Sequence, residues 1–277
     1  MSTDAFPGAG PPPRPKDLRL AEEWLSCHGL PGVRPTPLLA ARLAVRRRAR
    51  LADQVLLAGL FIGAALIHTY NRLSTSAFGG FQPPASTPLL MLIGLVAVML
   101  LVQVLLDQWV RRVDRRAGAA LPRRTAHLAR PGWRALLGRP RAAFTVVMFG
   151  GATLLALSAL AVQDATVRQA ALIVLIGVAG AAAGVARQLR DLLVRPIVAE
   201  DEASLTADVI MRVEDAREVT MPSVPWSLPV VLLFGTAPLW WNVASIAFVL
   251  LGLAMLVAIT KRTPPSVTVA RRVMSFR

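Results

Sequence analysis

Six stretches of this chain are hydrocarbon almost throughout, and nothing else in the sequence restricts its fold as much. They run from Gln54 to Tyr70, Pro88 to Leu106, Ala142 to Val162, Gln169 to Ala186, Trp226 to Trp241 and Asn242 to Thr260. Most approach the roughly 20 residues with which a helix crosses a bilayer core. Backbone groups in hydrocarbon must be paired within the segment, and these runs lack the strict alternation of barrel strands. The expected fold is therefore all-α: a polytopic transmembrane helical bundle of six spans in three hairpins. A composition that is 55% hydrophobic, with mean hydropathy +0.54, agrees with it.

The last two runs are read as separate spans because one helix over Trp226 to Thr260 would be about 50 Å long. Pro238 and Asn242 flank "LWW", which reads as a tight turn carrying interfacial tryptophans. The alternative there is a re-entrant element at Pro229 to Pro238, since sixteen residues are short for a crossing.

Charge gives the orientation. "RRVDRRAGAALPRRTAHLARPGWRALLGRPR", residues 111–141, holds ten arginines and one aspartate. Basic residues near short loops stay on the cytoplasmic side. With six spans and an inside N-terminus, 29 of the 31 basic residues lie inside, leaving Arg72 and Arg168 outside. Both termini are thus expected in the cytoplasm, with the arginine block facing an anionic inner leaflet, where each charge adds roughly 1 kcal/mol of attraction. Nucleic-acid binding is not expected, because the block has a single aromatic, Trp133, and no recognisable nucleic-acid module. Only Lys16 and Lys261 are lysines, an arginine bias that reads as GC-rich bacterial coding. A bacterial inner membrane follows as the expected location.

The chain divides accordingly. Residues 1–16 read as a disordered tail, 17–52 as a cytoplasmic amphipathic and basic region, and 53–186 as spans one to four with the basic loop 107–141. Residues 187–225 read as an acidic cytoplasmic helical segment, 226–260 as spans five and six, and 261–277 as a basic cytoplasmic tail. In the second piece Asp17 can cap a short helix that Gly29 and Pro31 end, with Leu18, Ala21, Trp24, Leu25 and His28 on one side. In the acidic segment Leu205, Val209, Val213 and Ala216 share a face, and Asp208 and Arg212 form an i,i+4 pair. Leu18, Trp24, Leu25, Leu205, Val209 and Val213 are the expected contacts for a cytoplasmic protein partner. The competing expectation is that the acidic helix docks within the chain, against the Arg111–Arg141 block.

Polar groups inside membrane spans mark function. Here they are His68 near the outer end of span one, and Gln103 and Asp107 at the inner end of span two, with Asp53 ending span one. None is at mid-membrane, so neither a proton- or sodium-coupled carrier nor an intramembrane hydrolase is indicated. One cysteine, Cys27, and three scattered histidines give no metal spacing and no disulfide. No catalytic residue, metal or cofactor is expected. Small residues are plentiful instead. Gly59 with Gly63, Ala152 with Ala156, and Gly180 with Gly184 are spaced for close helix packing, and span four is the candidate seam for a homo- or hetero-oligomer.

These features point to a non-enzymatic membrane component, a permease-like or accessory subunit working through a partner. A stand-alone transporter for an apolar or amphipathic solute is the second reading. A surface enzyme using Asp53, Gln103 and Asp107 is the third.

Overall fold

The computed structural model describes residues 14–76, 86–119, 132–194, 202–221, 223–233 and 238–275. Most of the 1–16 tail, and the centre of the arginine loop with His127, lie outside them. Among the described residues every regular element is a helix: α1 (Pro15–Cys27), α2 (Pro37–Ser76), α3 (Ser86–Ala119), α4 (Trp133–Leu136), α5 (Gly138–Leu160), α6 (Ala165–Val194), α7 (Glu202–Val219), α8 (Ser223–Leu233), α9 (Leu239–Arg262) and α10 (Ser266–Ser275). Five are long and apolar enough to cross a membrane, lying within α2, α3, α5, α6 and α9.

The region read as span five differs from expectation. α8 has 11 residues, about 16 Å of helix and well short of a hydrocarbon core. It does not project into a lipid-facing position. Val224, Ser227 and Leu228 are buried, and α8 packs on α2, α5, α6 and α9. Nor does "LWW" form a turn: Pro238 stands at the N-cap and Leu239, Trp240 and Trp241 open α9. Proline there suits a helix start, since its fixed φ and missing N–H cost nothing in the first turn.

The long helices also overrun the boundaries drawn from hydropathy. α2 has 40 residues and carries Arg42 to Arg50 and the first apolar run on one rod. α3 continues through Arg111, Arg112, Arg115 and Arg116, so the arginine block begins as helix. No proline or glycine falls between Leu38 and Ala58 or between Leu95 and Ala117, across the two junctions of charged and apolar sequence, and arginine is a good helix former.

The bundle interior is aliphatic. Leu60 and Ala64 of α2, Leu92, Val96 and Met99 of α3, Ala152, Ala156 and Ala159 of α5, Val174 and Val178 of α6, Leu228 of α8 and Trp241 of α9 form one buried cluster. Trp241 is fully buried and its indole N–H donates to the Leu155 carbonyl at 3.0 Å. That bond sets the start of α9 level with the far end of α5.

The small residues divide into two groups. Ala152 and Ala156 are fully buried. A Cβ at Gly63 would come within 3.1 Å of Leu95, and one at Gly180 within 3.0 Å of Leu100, so both serve packing on α3. Gly59 and Gly184 face open space. Span four, the candidate oligomer seam, buries one face within the chain, with Val167, Ala170, Ala171, Ile173, Val174, Val178 and Ala181 of α6, and leaves another open, with Leu172 and Ile176 exposed. The closest approach in this region is at Gly177, where a Cβ would lie 2.7 Å from Leu228. Large apolar side chains such as Val55, Val146, Ile176 and Leu250 cover the outside, each at least 60% exposed.

Candidate functional site

At one end of the bundle, α1, the start of α2, α4 and α10 gather around α7 and the adjoining end of α6. The acidic helix is the centre of this cap. Every residue from Leu205 to Val213 is buried, so this stretch of α7 is covered on all sides although it carries Asp208 and Arg212; Glu214, Asp215 and Glu218 follow toward the edge. Val209 and Ile210 meet Ala270 of α10 and Trp24 of α1. Val213 and Ala216 meet Leu136 and Leu137 beside α4, with Leu189 and Leu192 of α6 packed against them.

Buried charge must be paired or it is expensive, and here the pairing is thorough. Arg42, Arg46 and Arg50 stand at i, i+4 and i+8 of α2, one row on a helix face. Arg42 donates through Nε to Asp114 Oδ1 at 2.9 Å and through Nη2 to Asp208 Oδ1 at 2.6 Å. Arg46 donates through Nη2 to Asp114 Oδ2 at 2.9 Å and through Nε to both oxygens of Asp215 at 3.0 Å. Arg212 donates through Nε to Asp208 Oδ2 at 2.9 Å, the i,i+4 pair that the spacing predicts. Asp114 and Asp208 are 2% and 1% exposed, and both α2 arginines are below 10%. Three guanidinium groups face three carboxylates, so the cluster is formally neutral. At its edge Arg50 pairs with Glu218 at 2.6 Å, with both side chains more than 40% exposed. The partner order shows that α7 runs in the same direction as α2.

This corrects the expected docking partner of the acidic helix. Its carboxylates pair with the arginine row of α2, while the Arg111–Arg141 block meets it through apolar side chains, Leu136 and Leu137. The residue of that block that joins the charged cluster is its single aspartate, Asp114. Prior pairing fits the choice: Arg111 is already held by Asp107 on its own helix and by Asp191 of α6, whereas Arg42, Arg46 and Arg50 form one row that meets α7.

The cap also takes up the faces expected to bind a partner. Leu205, Val209 and Val213 are 6%, 1% and 0% exposed, and Leu25 is 1%. Their apolar surface is covered by this chain. Leu18 is half-buried, and Trp24 is half-buried against α7 and α10. His28 Nε2 lies 2.7 Å from Glu214 Oε1, the Trp24 indole N–H donates to Glu214 Oε2 at 3.4 Å, and the two rings stack with centroids 4.2 Å apart. Asp17 is in the first turn of α1 and not its cap; Arg14 holds that position.

The polar residues near the spans are brought together only in part. Gln103 donates to Asp53 Oδ1 at 3.4 Å in an exposed pair between α2 and α3. Asp107 is held by Arg111 on its own helix and lies 3.5 Å from Arg187 of α6. His68 is half-buried near the far end of α2, well away from both. These carboxylates serve as helix-to-helix ties. Among the described residues no three histidine, cysteine or acidic side chains cluster as metal ligands would.

Two groups on α7 are perturbed. Burial lifts the Glu218 carboxyl above the usual glutamate range, with Arg50 opposing. Burial, reinforced by Arg141, holds the Arg217 guanidinium below the usual arginine range, with Glu214 opposing.

The class defined by this architecture is an all-helical bundle, whose five apolar helices suggest a membrane-embedded protein, closed at one end by a charge-clamped helical cap. Beyond the class, no family model, no curated protein and no solved structure matches the chain.

Proposed function

We propose that this chain is a multi-pass protein of a bacterial cytoplasmic membrane, crossing it six times with both ends inside. We further propose that it works as a non-enzymatic component, a permease-like or accessory subunit acting through a partner. The orientation rests on the charge asymmetry, 29 basic residues against two. It is supported by the cap: α1 and α10 pack on the same helix, α7, so the first and last described helices lie at one end of the bundle. The excursion through α8 and α9 likewise leaves from α7 and returns to α10. About 16 Å of α8 plus the chain from Leu233 to Leu239, which reaches at most ~20 Å, suffices for that crossing.

The buried cluster around Asp114 and Asp208 carries the functional reading. Six charges withdrawn from water cost desolvation and return orientation more than stability. What they orient is the cap relative to α2 and α3, as a platform that must present a fixed surface to a soluble partner requires. The buried hydrophobic cluster, which among the described residues holds no ionisable group, speaks against an ion-coupled carrier. Because α7 and the inner face of α1 are covered, the partner surface is the outside of the cap.

Two experiments test this. Reporter tags inserted at 77–85 and after Arg277 should report opposite compartments; the same compartment overturns the orientation. Cys27 is the single cysteine and is exposed on α1, so a photocrosslinker on its thiol samples the cap's outer surface in native membranes. One discrete protein adduct, lost when His28→Ala releases α1 from Glu214, is expected. Adducts only to lipid or to other copies of the chain would overturn the accessory role.

A further inference from the structure

Buried hydrogen-bond donors are almost always satisfied, yet three at one junction are not. Arg141 Nε, Arg217 Nε and Trp226 Nε1 are buried with no acceptor. The Arg141 guanidinium has no hydrogen bond or ion pair among the described residues. Arg217 has one bond, Nη2 to the Pro264 carbonyl at 2.7 Å, and no carboxylate within ion-pair distance. The nearest acid acting on it, Glu214, already holds His28 and Trp24.

A ladder of hydroxyls joins the two arginines. Thr145 Oγ1 donates to the Arg141 carbonyl at 2.9 Å and reaches the Thr220 carbonyl at 3.5 Å, and Thr220 Oγ1 donates to the Arg217 carbonyl at 3.0 Å. Arg141, Thr145 and Met148 stand at i, i+4 and i+7 of α5, on one face. Trp226 adjoins that face deeper in the bundle: its Nε1 and Met148 both crowd the site a Gly252 Cβ would take, at 2.7 Å. Met148 is about 10 Å along the helix from Arg141. Two cationic donors therefore stand at the cap end, and one neutral donor stands deeper. The buried arginines of the neighbouring cluster, Arg42, Arg46 and Arg212, are matched with carboxylates, whereas here Arg141 and Arg217 are like charges acting on each other.

We propose that the junction of α5, α7 and α8 binds a phosphate-bearing anion. Its occupant is an anionic glycerophospholipid, whose phosphate is held by Arg141 and Arg217 and whose ester carbonyl accepts from Trp226 Nε1. Donors without acceptors select an oxyanion. The depth order, phosphate outward and ester inward, is that of a lipid entering from the leaflet at the cap end. The proposal rests on the orientation above, and the reporter tags test that orientation without touching these residues.

The test uses the full chain, purified and delipidated in a neutral detergent, with thermal midpoints followed by tryptophan fluorescence. Titration with phosphatidylglycerol in mixed micelles should raise the midpoint, and phosphatidylcholine should do so less. R141Q and R217Q should each weaken the apparent phosphatidylglycerol affinity about tenfold, the loss of one charge-assisted contact. R139Q, at an exposed arginine two residues away, should leave it unchanged. W226F keeps the ring and removes the N–H, and should also weaken binding. R141K, which keeps the charge but lacks the fork, stands in if R141Q does not fold. Inorganic phosphate at millimolar concentration that reproduces the shift in an Arg141-dependent way would assign the site to free phosphate and overturn the lipid. Equal effects of R139Q and R141Q would overturn the site itself.

Discussion

Replacing Asp114 by alanine should be among the most damaging changes available in the cap. Its carboxylate is 2% exposed and accepts from Arg42 Nε, Arg46 Nη1 and Arg46 Nη2 at 2.9, 3.1 and 2.9 Å. Without it, three buried guanidinium groups share two carboxylates, Asp208 and Asp215, and the cluster carries an uncompensated positive charge. Breaking a buried pair in this way costs about 3–5 kcal/mol. For a chain of this size that is a fall in thermal midpoint on the order of 10 °C. The assay is a melt in neutral detergent followed by tryptophan fluorescence or light scattering, because a thiol dye would report the exposed Cys27. Glu218→Gln is the internal comparison: its pair with Arg50 is more than 40% exposed on both sides and is worth under about 1 kcal/mol. Salt should reduce the small effect and leave the large one, since screening acts on exposed charge. A midpoint within about 2 °C of wild type for Asp114→Ala, or equal shifts for the two variants, would refute the reading of the cluster as a clamp.

Three further outcomes are expected. Gly252→Ala should destabilise by about 1–3 kcal/mol, because its methyl would meet Met148 and the rigid Trp226 ring at 2.7 Å; Gly59→Ala, facing open space, should be neutral or gain up to about 1 kcal/mol of helix propensity, both read by the same melt. The Glu218 carboxyl titrates above its ordinary value in the folded chain, so the folded state binds this proton more readily than the unfolded one. Its contribution to stability is in place below the ordinary glutamate value and is lost as pH rises through the raised one. Melts against pH should therefore show wild type losing ground to Glu218→Gln across that window, and a gap that moved the other way would contradict the burial.

The helical class and the apolar spans were legible because a bilayer's demands are written directly into hydropathy. Local pairs were legible too: Asp107 with Arg111 and Asp208 with Arg212 follow from the spacing of one helix. Long-range pairing was not. Arg46 reaches Asp215 across 169 positions, and nothing in either segment names the other. A usable signal was present in the row Arg42, Arg46 and Arg50, at four-residue spacing and matched to acids on α7. Treating residues 17–52 as a separate cytoplasmic piece hid it, because the row only matters once the helix is seen to continue into the apolar run. The shortness and burial of α8 were not legible for a related reason. Hydropathy measures transfer out of water, and a short helix buried in protein satisfies it as well as one crossing lipid.

The same 169-residue separation has a consequence for biogenesis. Chains emerge at about 5–20 residues per second, so Arg46 waits on the order of ten to thirty seconds for Asp215, and less than half as long for Asp114. The α2–α3 hairpin therefore acquires its carboxylate first, while the α2 arginines remain hydrated and cost nothing. Only when α7 arrives does water leave. Closure of the cap is thus a late step in assembly, and a ribosome-bound chain truncated before Glu202 would hold its arginines open to water.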